Sequence, residues 1–253
     1  MKAMAKKQVM ITGVHGLIAG AVYEHFRAQP DRYEPYGLAR RRAPSDRVAE
    51  GAAVEVPEDR FHLADMSDPE AVRKAFTGMD VVVHMAAVPD PGASFEAVVR
   101  SNVIGGYNAF EACRQAGVQR IVYASTVMVS WNCQLDEPYK SIREGRFDGR
   151  PEDIPMVKAT DPPRPSEPYS ASKVWGEALA RLYADQGLSA LCIRIGWVNA
   201  EDRCTRPGLE AVWCSRRDIV QMVELCVNAP EDLMFDVFYG LSDNAYRWAD
   251  IEH

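Results

Sequence analysis

The sequence has little that would tie it to a membrane, a nucleic acid or an oxidising compartment. No apolar run approaches the ~18 residues needed to span a bilayer. Basic residues are in deficit, 29 Lys and Arg against 36 Asp and Glu, for a net charge of −7. Such a chain is a poor counterion for a phosphate backbone or an anionic lipid surface. Its six cysteines (Cys113, Cys133, Cys192, Cys204, Cys214 and Cys226) form no Cys-x-x-Cys pair and no zinc spacing. Reduced thiols in a cytoplasmic protein are the simplest reading. His15 and His84 have no partner at metal-ligand spacing, so no metal is expected. Internal repeats and low-complexity segments are absent. The basic N-terminus (residues 1–7) runs into an apolar stretch broken by Gly13 and His15, which reads as a strand and not as a leader.

What is present is an ordinary globular composition. The 253 residues are 47% apolar and 26% charged, enough for one large domain that buries its own core without staples. Short apolar runs at 9–12, 33–39, 81–83, 121–124 and 191–195 alternate with amphipathic stretches at 18–28, 68–76, 95–115 and 169–186. Strand-like pieces also lie within 54–63. Asp68 suits an N-cap with Pro69 in the first turn, and Gly117 and Gly187 suit helix ends. Strands that are apolar on both faces and separated by helices predict an α/β fold: a doubly wound parallel sheet (Rossmann fold) with a small C-terminal substrate-binding region at 196–253. Residues 131–168 hold seven of the sixteen prolines and read as a long irregular insertion, of the kind that is functional more often than decorative. The last residues, 250–253, read as the inside of an amphipathic helix, as if the chain ran on.

Two groups of residues carry chemistry. The first strand runs into Gly13-Val14-His15-Gly16-Leu17-Ile18-Ala19-Gly20 and then a helix. Strand, glycine turn and helix N-terminus together make a cradle for a dinucleotide pyrophosphate. Gly13 permits the tight turn, Gly16 the close approach of backbone to phosphate, and Ala19 the close helix packing. The second strand ends in Ala39-Arg40-Arg41-Arg42, where an acid would bind the ribose 2′-hydroxyl of NAD. A guanidinium there suits a 2′-phosphate, so NADP is expected, with NAD the alternative.

The second group is Tyr169-Ser170-Ala171-Ser172-Lys173 at the start of a helix. Residues four apart share a helix face. A phenol is a poor base at neutral pH, and a neighbouring ammonium stabilises its ionised form. Ser125 and Thr126 end a strand at the carboxyl edge of the sheet, where doubly wound folds bind ligands. A hydroxyl there can orient the same substrate oxygen.

With these motifs in family order, the sequence resembles the short-chain dehydrogenase/reductase superfamily in its extended NAD(P)-dependent epimerase/dehydratase branch. The residues are Thr12 to Gly16, Asp65-Met66, His84-Met85-Ala86-Ala87, Ser101-Asn102-Val103, Ser125-Thr126 and Tyr169 to Lys173. The resemblance implies that Thr126, Tyr169 and Lys173 are the catalytic residues, with Lys173 also on the nicotinamide ribose. It implies cofactor contacts from Gly13, Gly16, Leu17, Ile18, Arg40, Asp65, Met66, Met85, Ala86, Ala87, Asn102 and Ile195. Asp65 has a second reading as a turn cap, and Asn102 as a polar group bonding nearby backbone. Within the branch the sequence is most similar to short uronate-dehydrogenase-like members, through residues 102–108, Arg194-Ile195-Gly196, Val212 to Ser215 leading to Asp218, and loosely 240–248. An Asn-His pair that touches substrate hydroxyls in those members is replaced here by Val127 and Met128, which argues against a uronate. Arg194 stands where a carboxylate would be held, or else in a structural salt bridge. Thr126, Val127, Met128 and Arg194 are thus the candidate substrate residues. Trp131, Trp197 and Trp213 line the pocket or the core, core being the default.

The function expected is hydride transfer between nicotinamide and a hydroxyl or carbonyl carbon of a small, polar, sugar-derived substrate, with Tyr169 as general acid/base. A sugar epimerase or dehydratase with tightly held cofactor is the alternative, weakened by the 58 residues that follow Ile195. A non-catalytic dinucleotide sensor is the third reading, weakened by the presence of both Tyr169 and Lys173. A homodimer is expected through helices 95–115 and 169–186, the second carrying Trp175, Leu179 and Leu182 as an apolar stripe that could equally face its own sheet. The 131–168 segment, anchored at both ends on catalytic residues, is expected to be a substrate lid.

Overall fold

The computed structural model describes residues 6–206 and 208–253; residues 1–5 of the basic N-terminus lie outside it. The described chain runs β1 (Lys7–Thr12), α1 (Leu17–Arg27), β2 (Tyr33–Ala39), β3 (Phe61–Leu63), α2 (Pro69–Phe76), β4 (Val81–His84), α3 (Phe95–Val98), α4 (Gly105–Ala116), β5 (Arg120–Thr126), α5 (Tyr139–Arg143), α6 (Pro168–Ala184), β6 (Ser189–Ile195), α7 (Arg216–Val227) and β7 (Phe235–Gly240). The strands form one seven-stranded sheet in the order β3-β2-β1-β4-β5-β6-β7, every neighbouring pair parallel. The order reverses between β1 and β4, so the ligand crevice of a doubly wound sheet opens at their carboxyl ends.

Two-residue periodicity divides the core. On β1, Val9 and Ile11 face α1 and α7, with Val22, Phe26, Ile219 and Val223. Met10 faces the other way, with Tyr123 of β5 and with Phe76, Phe110, Leu179 and Tyr183 of the α2, α4 and α6 layer. Helix α6 lies close on β5 because Gly176 has no side chain: a Cβ there would come within 2.0 Å of the Tyr123 hydroxyl. Asp68 caps α2 through the Glu70 and Ala71 amides, and Gly117 and Gly187 take the left-handed conformation at helix ends.

The structure differs from the sequence reading at five places. Of the strand-like pieces in 54–63, only Phe61–Leu63 is a strand; the rest is loop and a 3-10 turn. The helix expected over 95–115 is broken by a π-helical stretch, Val99–Ile104, centred on Asn102. β7 was not anticipated, because an edge strand such as Phe-Asp-Val-Phe-Tyr-Gly mixes half-buried positions and lacks the doubly apolar signature. Residues 250–253 are not helical; the chain before them pairs instead, Ala249 bridging to Val157. The 131–168 segment is not a free loop. It contains 3-10 turns and α5, and with the C-terminal residues it builds a third core in which Val127, Cys133, Ile154, Val157, Tyr239, Trp248 and Ala249 are buried together.

Candidate active site

The glycine turn is shaped to admit a phosphate. Gly13 has φ +72°, and a Cβ on it would meet the Ala86 Cα at 3.0 Å, so the turn lies directly on the segment after β4. Gly16 bonds back to the Gly13 carbonyl at 2.8 Å and starts α1 with no side-chain cap and no acid in the first turn. The amides of Leu17 and Ile18 therefore stand at an uncapped helix N-terminus, a ready site for an anion. The residues present fit a dinucleotide diphosphate.

Beneath the turn, Thr12 Oγ1 accepts from the Met85 and Ala86 amides, both at 3.1 Å, and meets His84 Nδ1 at 2.9 Å. With both acceptor sites used, the hydroxyl donates to Nδ1 and the His84 proton sits on Nε2. Burial, reinforced by the Lys173 charge, pushes the His84 pKa down to about 3. The unfolded chain, with a value near 6.5, binds the extra proton between those limits. Stability is therefore full above pH 6.5 and falls as the pH drops toward 3. At pH 4.5 the loss is about 2 to 3 kcal/mol. Unfolding free energies at pH 7 and 4.5 should differ by about that much more in wild type than in His84→Asn; equal differences would exclude it.

At the rim of β2, Arg40 is exposed and no acid follows the strand. Asp65 accepts from the Ser67 amide at 2.9 Å and hydroxyl at 2.8 Å and pairs with Arg100 at 3.1 Å. The Ser67 amide bond, opposed by burial and helped by the Ser67 hydroxyl, Arg100 and Arg40, holds its pKa low. Asp65 is thus a turn-closing residue on the groove rim. Met66 is buried, and its carbonyl accepts from Asn108 at 2.9 Å. Asn102 clamps Val88 through both backbone groups, at 2.8 and 3.2 Å, and donates to Ser172 at 3.1 Å. It ties the segment 85–88 to the helix of Tyr169.

That helix, α6, starts with a reciprocal cap between Glu167 and Ser170, which sets Tyr169 in the first turn. Tyr169 is almost wholly buried. Burial raises its pKa, while a hydrogen bond from Thr126 and the charge of Arg47 lower it. Lys173, one turn on, donates to the Ala124 carbonyl at 2.8 Å, with Nζ 6.0 Å from the Tyr169 ring centroid. Its burial brings its pKa down to about 8, against the raising effect of Cys192 and Glu177. Thr126, at the end of β5, also accepts from the Met128 amide at 3.3 Å. Thr126, Tyr169 and Lys173 are therefore brought together beside the groove.

The substrate candidates separate. Met128 is part-exposed next to Thr126. Val127 is buried in the third core, so its side chain is not offered to a ligand there. Arg194 is buried and spent: Nε and Nη2 each reach Glu177 at 2.9 Å, and Nη1 reaches Tyr239 at 3.0 Å and Ser130 at 3.3 Å. Of its two readings, the geometry is that of the structural salt bridge. Trp131 and Trp197 pack on the third core, whereas Trp213 borders an open hollow with Ser215, Asp218 and Ser242. No group of three or more potential metal ligands occurs among the described residues, and none of the described helices is long and apolar enough to cross a membrane. Glu177 and Arg47 escaped the sequence reading, and Ser172 entered it only as part of the Tyr169 to Lys173 run. Glu177 was signalled by its i+4 spacing from Lys173; Arg47 carried no signal.

Sheet, crevice and glycine turn define a nicotinamide-dinucleotide enzyme of the short-chain dehydrogenase type. The model of the NAD dependent epimerase/dehydratase family matches residues 9–202, and the chain belongs to that family. It is 36% identical over 177 residues to the L-arabinose 1-dehydrogenase (NAD(P)(+)) of Haloferax volcanii, covering 66% of this chain and 67% of that protein. It is 30% identical over 254 residues to the NAD-dependent glucose-6-phosphate dehydrogenase of the same organism, covering 96% and 88%. Among solved structures, a uronate dehydrogenase from Agrobacterium tumefaciens superposes with a TM-score of 0.76 at 27% identity, covering 99% of this chain and 82% of that one. A mutant of that enzyme complexed with NAD gives 0.75.

Proposed function

We propose that the protein is an NAD(P)-dependent dehydrogenase acting on a hydroxyl or hemiacetal carbon of a small sugar-derived substrate. The observation that carries this reading is the placing of Thr126, Tyr169 and Lys173 beside an uncapped glycine-turn helix. The relatives, named for arabinose, glucose 6-phosphate and uronate, supply the substrate class. A bound nicotinamide supplies the hydride acceptor. Thr126 holds the reacting oxygen, and Tyr169 removes its proton. Lys173 stabilises the phenolate. Met128, part-exposed next to Thr126, borders the substrate side, and the folded 131–168 segment forms its wall, closing the site against water as a lid would. Arg194, already neutralised, gives no support for a uronate carboxylate. Aldoses, sugar phosphates and sugar acids, each tested with NAD and NADP at 340 nm, should give turnover with an aldose or sugar phosphate. No turnover across the set would sink the reading.

NADP(H) is placed ahead of NAD because Arg40 is an exposed cation, with no carboxylate within ion-pair distance among the described residues, where an acid would read the ribose. Loss of a charge-assisted phosphate contact typically costs ~1.5–3 kcal/mol, about tenfold to a hundredfold in affinity. Arg40→Ala should weaken NADPH by that factor and leave NADH within about twofold. Equal wild-type affinities for the two would refute the preference.

The oligomer proposed is a homodimer. Phe95, Ile104, Tyr107, Trp175 and Leu182 are each more than two-fifths exposed on α3, the π-helical stretch, α4 and α6, whereas Leu179, placed on the same stripe as Trp175 and Leu182 on sequence grounds, is buried in its own core. An apolar face of this kind calls for a partner, and a second copy supplies the matching one. Light scattering should give twice the 28.2 kDa chain mass, and a single-chain mass at micromolar concentration would rule the dimer out.

A further inference from the structure

We propose that Arg47 is a cofactor-binding residue, a cation that the strap of residues 40–49 holds at the mouth of the crevice to grip the diphosphate together with the α1 N-terminus. This rests on the dinucleotide reading above.

The strap leaves β2 and is fixed to the glycine turn, the Ser45 amide donating to the His15 carbonyl at 3.0 Å. Two residues later the Arg47 guanidinium donates through Nη2 to the Pro89 carbonyl at 3.1 Å. Pro89 belongs to the segment after β4 and directly follows Val88, the residue pinned by Asn102. The strap thus joins the turn after β1 to the segment after β4, the two strands between which the order reverses, and sets Arg47 at the carboxyl ends where a dinucleotide would lie.

The charge there is uncompensated. A guanidinium has five donors, and Pro89 uses one. No carboxylate lies within ion-pair distance of Arg47 among the described residues, although the chain is acidic and pairs many of its other arginines. Asp90, beside Pro89, turns its carboxylate to the Gly92 amide instead. The strap is tied to the glycine turn from which the uncapped N-terminus of α1, itself a positive pole, sets out. Two positive features at one turn, neither with a carboxylate partner among the described residues, mark a place for an anion. The 2′-phosphate belongs to the β2 rim at Arg40, and the anion over the glycine turn is the diphosphate. The same charge reaches the Tyr169 phenol, so the strap links cofactor closure to the catalytic group.

The test is the affinity of wild type, Arg47→Met and Arg47→Lys for NADH, NADPH and ADP-ribose, measured by fluorescence and calorimetry. Arg47 is exposed, so the variants should keep the wild-type unfolding midpoint. Arg47→Met is expected to weaken all three ligands about tenfold to a hundredfold, with Arg47→Lys intermediate. A loss confined to NADPH would assign Arg47 to the 2′-phosphate and overturn the proposal. Unchanged affinities with an altered pH profile would assign it to Tyr169 alone and overturn it as well. A wild type that binds no dinucleotide would bring down the functional reading itself, which distinguishes the two failures.

Discussion

Tyr169→Phe should bind NADPH or NADH within about threefold of wild type and lose turnover by about 10² to 10⁴, the usual contribution of a positioned acid/base. The substitution removes one oxygen. That oxygen is hydrogen-bonded to Thr126 and is no part of the glycine turn, so the cofactor should lose little while the proton acceptor disappears. Burial alone would keep the phenol protonated at neutral pH. Thr126 and Arg47 work against it here, and the Lys173 ammonium, with Nζ 6.0 Å from the phenol ring centroid, is expected to add to them once the phenol ionises. Removing a neighbouring cation raises the pKa of a phenol. The rising limb of the alcohol-oxidation profile should therefore move to higher pH in Lys173→Met, and kcat at pH 7 should fall more than KM rises. Retention of more than about a tenth of wild-type turnover by Tyr169→Phe would remove the tyrosine from the chemistry.

The parts of the site legible in the sequence are those that depend on local spacing. Gly13 and Gly16 follow from the strand-turn-helix pattern, and Tyr169 and Lys173 from one helix turn. Thr126 could be placed only because a buried parallel strand has to end at the ligand edge. Side chains whose roles are set by distant partners were not legible. Arg194 faces either a substrate or Glu177 depending on how α6 lies on β6, and nothing in the sequence states that Gly176 brings the helix down onto Tyr123. The 131–168 segment read as loop because its prolines break helical periodicity. Its burial comes from Tyr239, Trp248 and Ala249, more than seventy residues away in sequence. No motif marks Arg47 in the sequence, and only the tertiary path of the strap brings it to the segment after β4.

The largest stability effect should come from the ion pair beneath the site. Arg194 and Glu177 are joined bidentately in the interior, and the rest of each group is used. Glu177 Oε1 also accepts from Ser125 at 2.6 Å, and Arg194 Nη1 serves Ser130 and Tyr239, themselves bonded at 2.7 Å. Replacing one partner leaves the other buried, charged and alone. Arg194→Met or Glu177→Met should each cost about 3–5 kcal/mol, or roughly 6–20 °C in Tm for a chain of this size. The double variant should recover much of that loss, because the remaining groups are then neutral and the desolvation of two charges is no longer required. If each single variant costs less than about 1 kcal/mol, the pair does not hold the interior. The catalytic consequence follows from where the network is tied. Ser125 precedes Thr126, and Glu177 lies one turn beyond Lys173, so the pair fixes β5 against the helix that carries the phenol. In a single variant that still folds, kcat should fall with cofactor affinity nearly unchanged, since the glycine turn and the strap lie on β1 and β2, away from the broken contact.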